Sequence, residues 1–295
     1  MLSQDFTFRT KVETANDGIE IHHRNRILMI GSCFSDNIGE KMVDGGFNCS
    51  VNPMGTLYNP ASILQMLKPS IDGESLKWIH SRVENPEKAY SELQAWTAET
   101  DIVIVTFGTS YIYTLKSSGL VVANCRKMPA NMFERSRLTS EGIADAWIKY
   151  VNDMHRCHGT RFIFTVSPIR HLKDGLHGNQ LSKAVLLEAI EKICNGCPSL
   201  CSYFPAYEIM TDELRDYRFY ADDMIHPADI AVEYIWTRFC QTYMDSSTIS
   251  FAERFERLNR TLHHRPSNPD SPEYIKLINE TKKQIQILKN AIQDK

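Results

Sequence analysis

Three short runs, Arg26–Ile30 (RILMI), Asp101–Phe107 (DIVIVTF) and Arg161–Val166 (RFIFTV), limit most strongly what this chain can fold into. Within each run almost every side chain is apolar, so a strand made from it has no wet face. Such strands belong in a parallel sheet covered by helices on both sides. The segments between them change period. Phe34, Ile38 and Met42 repeat every four residues and stop at Gly45-Gly46, which predicts a helix. Asn59-Pro60 reads as an N-cap with proline in the first turn, opening a helix through Ile63, Leu64 and Leu67. Ile143, Trp147, Val151 and Met154 mark a helix ended by Gly159, and Leu181, Val185, Ala189 and Ile193 mark another. A strand is expected over 200–204 and a closing helix over 230–243. Residues 111–114 and 119–123 flank Lys116-Ser117-Ser118-Gly119 and predict a hairpin inserted after the central strand. Strands alternating with helices imply a three-layer α/β fold with a mostly parallel sheet.

Beyond Met244 the texture changes to charged helical sequence, a proline-containing stretch and a stripe formed by Tyr274, Ile278, Ile285, Leu288 and Ile292. We therefore read residues 1–245 as the α/β domain and 246–295 as a helical extension, through which a homo-oligomer is conceivable. Lys and Arg number 33 against 36 Asp and Glu, with no basic block, which speaks against a nucleic-acid partner. No run reaches the length of a membrane span, and the start shows no secretory signal, so a cytoplasmic protein with no membrane partner is expected. The eight cysteines are dispersed and are expected to be reduced. Cys194, Cys197 and Cys201 read better as small apolar residues than as zinc ligands, so neither metal nor cofactor is expected.

Two constellations can carry chemistry. Ser32, in Gly31-Ser32-Cys33-Phe34, lies where the first strand meets its helix, either as a nucleophile among exposed backbone N–H groups or as a simple helix cap. Asp223 and His226 stand three apart before the last core helix, so the carboxylate can hold one ring nitrogen while the other takes a proton; the alternative is a capping turn. Cys33 is a second possible nucleophile. With nothing nearby to lower its pKa, it is expected to pack inward.

The order of these motifs, serine after the first strand and D-x-x-H near the end, resembles the SGNH (GDSL-like) hydrolases. More specifically, Gly31-Ser32-Cys33-Phe34, Asn52-Pro53-Met54-Gly55, Thr106-Phe107-Gly108-Thr109-Ser110, Val166-Ser167-Pro168-Ile169-Arg170-His171 and Asp223-Met224-Ile225-His226 resemble the GSCFA family within that group. The resemblance spans about residues 26–240. It implies a flavodoxin-like α/β/α fold and a serine esterase that removes an O-acyl group from a small polar or carbohydrate substrate through an acyl-enzyme. The same machinery would serve an O-acyltransferase, and a catalytically weak binding module is the opposing class. Carried over by position, Ser32 is the nucleophile, His226 the base and Asp223 its orienting partner. The N–H groups of Ser32 and Gly55 would bind the oxyanion. The asparagine usual in the third block is replaced by Ser110, so Ser110 or Asn124 becomes the expected third donor, with Asn52 and His80 as further polar choices. Asn52, His80, Arg170 and His171 are the expected substrate-binding residues.

Overall fold

The computed structural model describes residues 9–80, 83–264, 266, 268 and 270–293. Strands β1 (Arg26–Gly31), β2 (Asn48–Val51), β3 (Ile102–Phe107), β7 (Arg161–Val166) and β8 (Cys201–Phe204) form one parallel sheet in the order β2-β1-β3-β7-β8. Among the sheet's own strands this is the flavodoxin-like order 2-1-3-4-5. The expected three-layer α/β/α architecture is therefore present.

Alternation explains why the three apolar runs need two covers. Ile27, Met29, Ile102, Ile104 and Ile163 face helices α1 (Cys33–Asp44) and α8 (Asp229–Tyr243), meeting Phe34, Ile38, Ile235 and Phe239. Their neighbours Leu28, Ile30, Val103, Val105 and Phe164 face α2 (Pro60–Leu67), α5 (Ser140–His158) and α6 (Gly175–Gly196), meeting Ile63, Trp147, Leu186 and Ile190. Each such side chain contributes about 1.5–3 kcal/mol by leaving water. The caps expected from sequence are in place: the Asn59 side chain accepts from Ser62 N–H at 2.8 Å, and Gly159 ends α5 at φ +72°.

Several elements were not expected. Helices α3 (Gly73–Ile79) and α4 (Pro86–Thr97) fill the crossover from β2 to β3. The inserted hairpin, β4 (Tyr111–Leu115) and β5 (Leu120–Val122), gains a third strand, β6 (Phe133–Arg137), in an antiparallel sheet of order β5-β4-β6. After β8, the short helix α7 (Ala206–Glu208) runs into a π-helical turn over Ile209–Leu214. Its buried Glu213 pairs with Arg238 of α8 and accepts from Val12 N–H at 3.0 Å.

The extension consists of α9 (Ser246–His263) and α10 (Pro272–Gln293). It docks through α9: Phe255 lies against Gly46, where an added Cβ would come within 2.6 Å of the ring. Among the described residues no helix is long and apolar enough to cross a membrane.

Candidate active site

From β1 the chain steps outward to β2, then returns across β1 to β3. The loops leaving β1 and β3 part at their carboxyl ends, and such a switch point is where open α/β sheets hold ligands. A cavity of about 380 Å³ opens here, lined by Cys33, Tyr58, Thr109, Arg170, His171 and His226 and roofed by Tyr111 and Tyr113 of the inserted sheet.

The turn out of β1 is built tightly. Gly31 has φ +144°, and a Cβ there would sit 2.2 Å from the Thr106 carbonyl oxygen of β3, so only glycine fits. Its N–H donates to Asn52 Oδ1 at 2.9 Å, while Asn52 Nδ2 donates to Asp36 Oδ1 at 2.6 Å. Ser32 follows as the N-cap of α1, 1% exposed, its Oγ accepting from Phe34 N–H at 3.3 Å. Cys33 is the first helical residue and is only partly buried. Its Sγ lies 4.0 Å from His226 Nε2 and 3.9 Å from the Tyr58 hydroxyl.

His226 is aimed from below. Asp223 Oδ2 meets its Nδ1 at 2.6 Å, while Asp223 Oδ1 accepts from the N–H groups of Ile225 at 2.8 Å and His226 at 3.0 Å. Those bonds, the His226 N–H foremost and then its ring, hold the Asp223 carboxyl down to about 2. A carboxylate on Nδ1 leaves Nε2 free to receive a proton from the cavity side.

The sequence reading is corrected here at several residues. The spacing of Asp223 and His226 brings them together as expected, but the side chain that His226 faces is Cys33, with Ser32 turned into the protein as a cap. Cys33, expected to pack inward, lines the cavity. Gly55 closes a turn by donating to Asn52 O at 2.8 Å, so its N–H is used within its own loop. Ser110 is fully buried and hydrogen-bonded to Ser182 Oγ of α6, through its N–H at 2.8 Å and its hydroxyl at 3.1 Å. Asn124 is exposed and accepts from Arg126 N–H at 2.8 Å. His80 accepts from the Arg126 guanidinium at 2.7 Å beneath the inserted sheet, and burial lowers its pKa. None of Asn52, Gly55, His80, Ser110 or Asn124 lines the cavity. Arg170 and His171 do. Arg170 donates to Met224 O at 3.0 Å and so ties the β7 loop to the segment carrying His226.

Burial governs the remaining electrostatics. It pushes the Cys33 thiol up, only partly offset by the Tyr58 hydroxyl and the residue's own N–H, so the sulfur rests protonated. His171 is lowered to about 4, first by burial and then by Lys183, and its Nε2 is buried without a hydrogen-bond partner. Lys183 is 1% exposed and lowered to about 7 by burial. Neither Tyr58 nor Lys183 was given a role at the site from the sequence. Lys183 left a signal, since a charged residue stands one turn before the apolar stripe of Leu186, Ile190 and Ile193 on the same face of α6. All eight cysteines are free, and no group of three or more His, Cys, Asp or Glu that could hold a metal comes together among the described residues.

The model of the GSCFA family matches residues 26–81 and 78–239, a span containing every residue of this site. The chain belongs to the GSCFA family. A second model, GSCFA domain protein, C-terminal domain, matches residues 255–294 of this GSCFA protein, a range that takes in the second half of α9 and all of α10. No curated protein matches it. Two solved structures are similar at low identity. One is a carbohydrate esterase family 2 enzyme with a carbohydrate binding domain from Corynascus thermopiles, with TM-score 0.44 and 14% identity over 82% of this chain and 69% of that one. The other is a suggested platelet activating factor from Streptococcus pneumonia, with TM-score 0.40 and 11% identity over 76% of this chain and 87% of that one.

Proposed function

We propose that this GSCFA protein is an esterase-type hydrolase whose nucleophile is Cys33, with His226 as general base and Asp223 as its orienting partner. The observation that carries the reading is the alignment of Asp223, His226 Nε2 and Cys33 Sγ, at 2.6 Å and 4.0 Å, at the mouth of one cavity. A sulfur–nitrogen gap of this size is ordinary before substrate binds, because catalytic hydrogen bonds tighten in the complex.

The step conserves atoms simply. His226 Nε2 takes the thiol proton as Cys33 Sγ bonds to the acyl carbon, and the carbonyl oxygen becomes an oxyanion. Collapse breaks the acyl–oxygen bond, and the proton on His226 passes to the departing alkoxide. Water, deprotonated by the same imidazole, then attacks the thioester, releasing the carboxylic acid and restoring the thiol. The Cys33 N–H, first in α1 and outside the helix ladder, is the oxyanion donor nearest the reacting sulfur. The tyrosines of the wall and roof, with Arg170 and Thr109, suit a small polar or carbohydrate ester. A hydroxyl acceptor in place of water would make the same steps an acyl transfer.

The test uses p-nitrophenyl acetate with the wild type, C33A and S32A. Turnover and a thioester adduct on the peptide containing Cys33 should vanish in C33A. S32A should keep turnover and lose about 1 kcal/mol of stability, as expected for a lost helix cap. Full activity in C33A, or an adduct mapped to Ser32, would overturn the assignment.

A further inference from the structure

We infer that the cavity selects an ester whose alcohol portion carries a negatively charged group, with Arg170 and Lys173 as the residues that recognise it. The inference deepens the proposed function and rests on the reading of this cavity as the place of reaction.

The chain as a whole has a formal net charge of −3. The cavity has the opposite sign. Its charged lining side chains are Arg135, Arg170 and Lys173 against the single carboxylate of Asp174. That carboxylate is already taken, because Asp174 is buried in an ion pair with Arg135. Tyr113 and Arg135 stand opposite each other across β4 and β6, so they share the face of the inserted sheet that is turned to the cavity. The Arg135 guanidinium lies 4.2 Å from the centre of the Tyr111 ring and 5.3 Å from that of Tyr113. Lys173 reaches the same Tyr113 ring, its Nζ 4.7 Å from the centre. Two cations thus share one ring and one carboxylate. Arg170 rests against the Tyr220 ring, 5.4 Å from its centre. Among the described residues neither Arg170 nor Lys173 pairs with a carboxylate, and an aromatic face attracts a cation without cancelling its charge. The carboxylates around the reacting sulfur are engaged elsewhere, Asp223 by His226 and Asp36 by Asn52. Uncompensated positive charge lining a cleft focuses its field on an anion.

Arg170 fixes which part of the ester carries that anion. Its backbone N–H donates to Ile225 O at 3.2 Å and its Nη1 to Met224 O at 3.0 Å, so it is fastened twice to the segment that carries His226. A guanidinium has five N–H donors, and one Nη1 bond leaves others for a ligand. Lys173 follows three residues later, in the short turn Leu172–Asp174 that leads into α6. In the proposed reaction His226 returns its proton to the departing alkoxide, so the alcohol leaves on the His226 side of the cavity. That is the side where Arg170 stands. A carboxylate or phosphate on the alcohol therefore meets the two cations, while the acyl group stays on Cys33.

The experiment compares kcat/KM for p-acetoxybenzoate with that for its uncharged methyl ester, in the wild type, K173Q, K173R and R170Q. The ratio of the two values cancels any general loss of activity or of folded protein in a variant. It should fall by about tenfold in K173Q and in R170Q, the size of one lost charge-assisted hydrogen bond, and be retained in K173R. In the wild type it should also shrink in 1 M salt, where screening acts within about 3 Å. Running p-acetoxyphenyl phosphate beside the benzoate tells which anion is preferred, and a charge-dependent preference for either supports the inference. A ratio in K173Q and R170Q equal to that of the wild type would overturn it. A calorimetric titration with p-acetamidobenzoate, whose amide resists turnover, separates this inference from the hydrolase reading. If that anion binds, weakens in K173Q and R170Q, and yet no ester is turned over, the anion subsite stands and the hydrolase reading falls. Turnover of the methyl ester with no binding of p-acetamidobenzoate has the reverse meaning.

Discussion

Removing water from the cavity floor pushes Cys33, His171 and Lys183 each toward its uncharged form. For His171 the consequence is a pH-dependent stability. Its folded value of about 4 lies below the ordinary 6.5, so between these values the unfolded chain binds the proton that the folded one refuses. Stability is complete above pH 6.5 and declines as the pH falls toward 4. Thermal melts should show that slope, amounting to at most about 3 kcal/mol, and His171→Gln should flatten it. Asp223 follows the carboxylate rule: its hydrogen bonds support the His226 turn above about pH 4, and that support is lost as the pH falls toward its value of about 2. The Asp223–His226 pair could be read from sequence because three-residue spacing within one turn leaves little freedom. The choice between Ser32 and Cys33 could not be read there. It depends on whether the helix begins at one residue or the next, and that phase is fixed by Asn52 and Thr106, which lie far away along the chain. The same distance hid Ser182, which takes up Ser110, and Arg126, which takes up His80.

Among the elements, β1, β3 and β7 were legible because burial on both faces requires unbroken apolar sequence. Strand β2 lies at the sheet edge with no fully buried residue, and β6 buries only Phe133, so neither carries a period that composition alone reveals. Helix α4 buries only Leu93 and Thr97, and its stripe is correspondingly faint. The junction of β1 with α1 is the least forgiving point. Gly31→Ala drives a methyl group into the Thr106 carbonyl of the adjacent strand and holds the residue at a φ that alanine avoids. The expected outcome is a loss of at least 3 kcal/mol in urea unfolding, in the range kept for steric and backbone conflicts. Any folded fraction should also show slow Cys33 alkylation, since the shifted turn carries the sulfur away from His226.

Across the whole molecule, structure and chemistry are separated in space. The extension seats Phe255 against Gly46 at the exit of α1, and no residue beyond 245 lines the cavity. Phe255→Ala should therefore lower stability by about 3–5 kcal/mol, as for other buried aromatic truncations. At a temperature where the protein is still folded, kcat should be unchanged. The sequence changes texture near 245, but it gives no sign of the docking face, because Gly46 and Phe255 meet only in three dimensions. The three strands above the cavity have a different origin: they are one excursion of the chain between β3 and α5. A lineage could lengthen, shorten or rewrite that excursion while leaving Gly31, Cys33, Asp223 and His226 untouched. Selectivity would then drift independently of the reaction, with one loop as the exchangeable part.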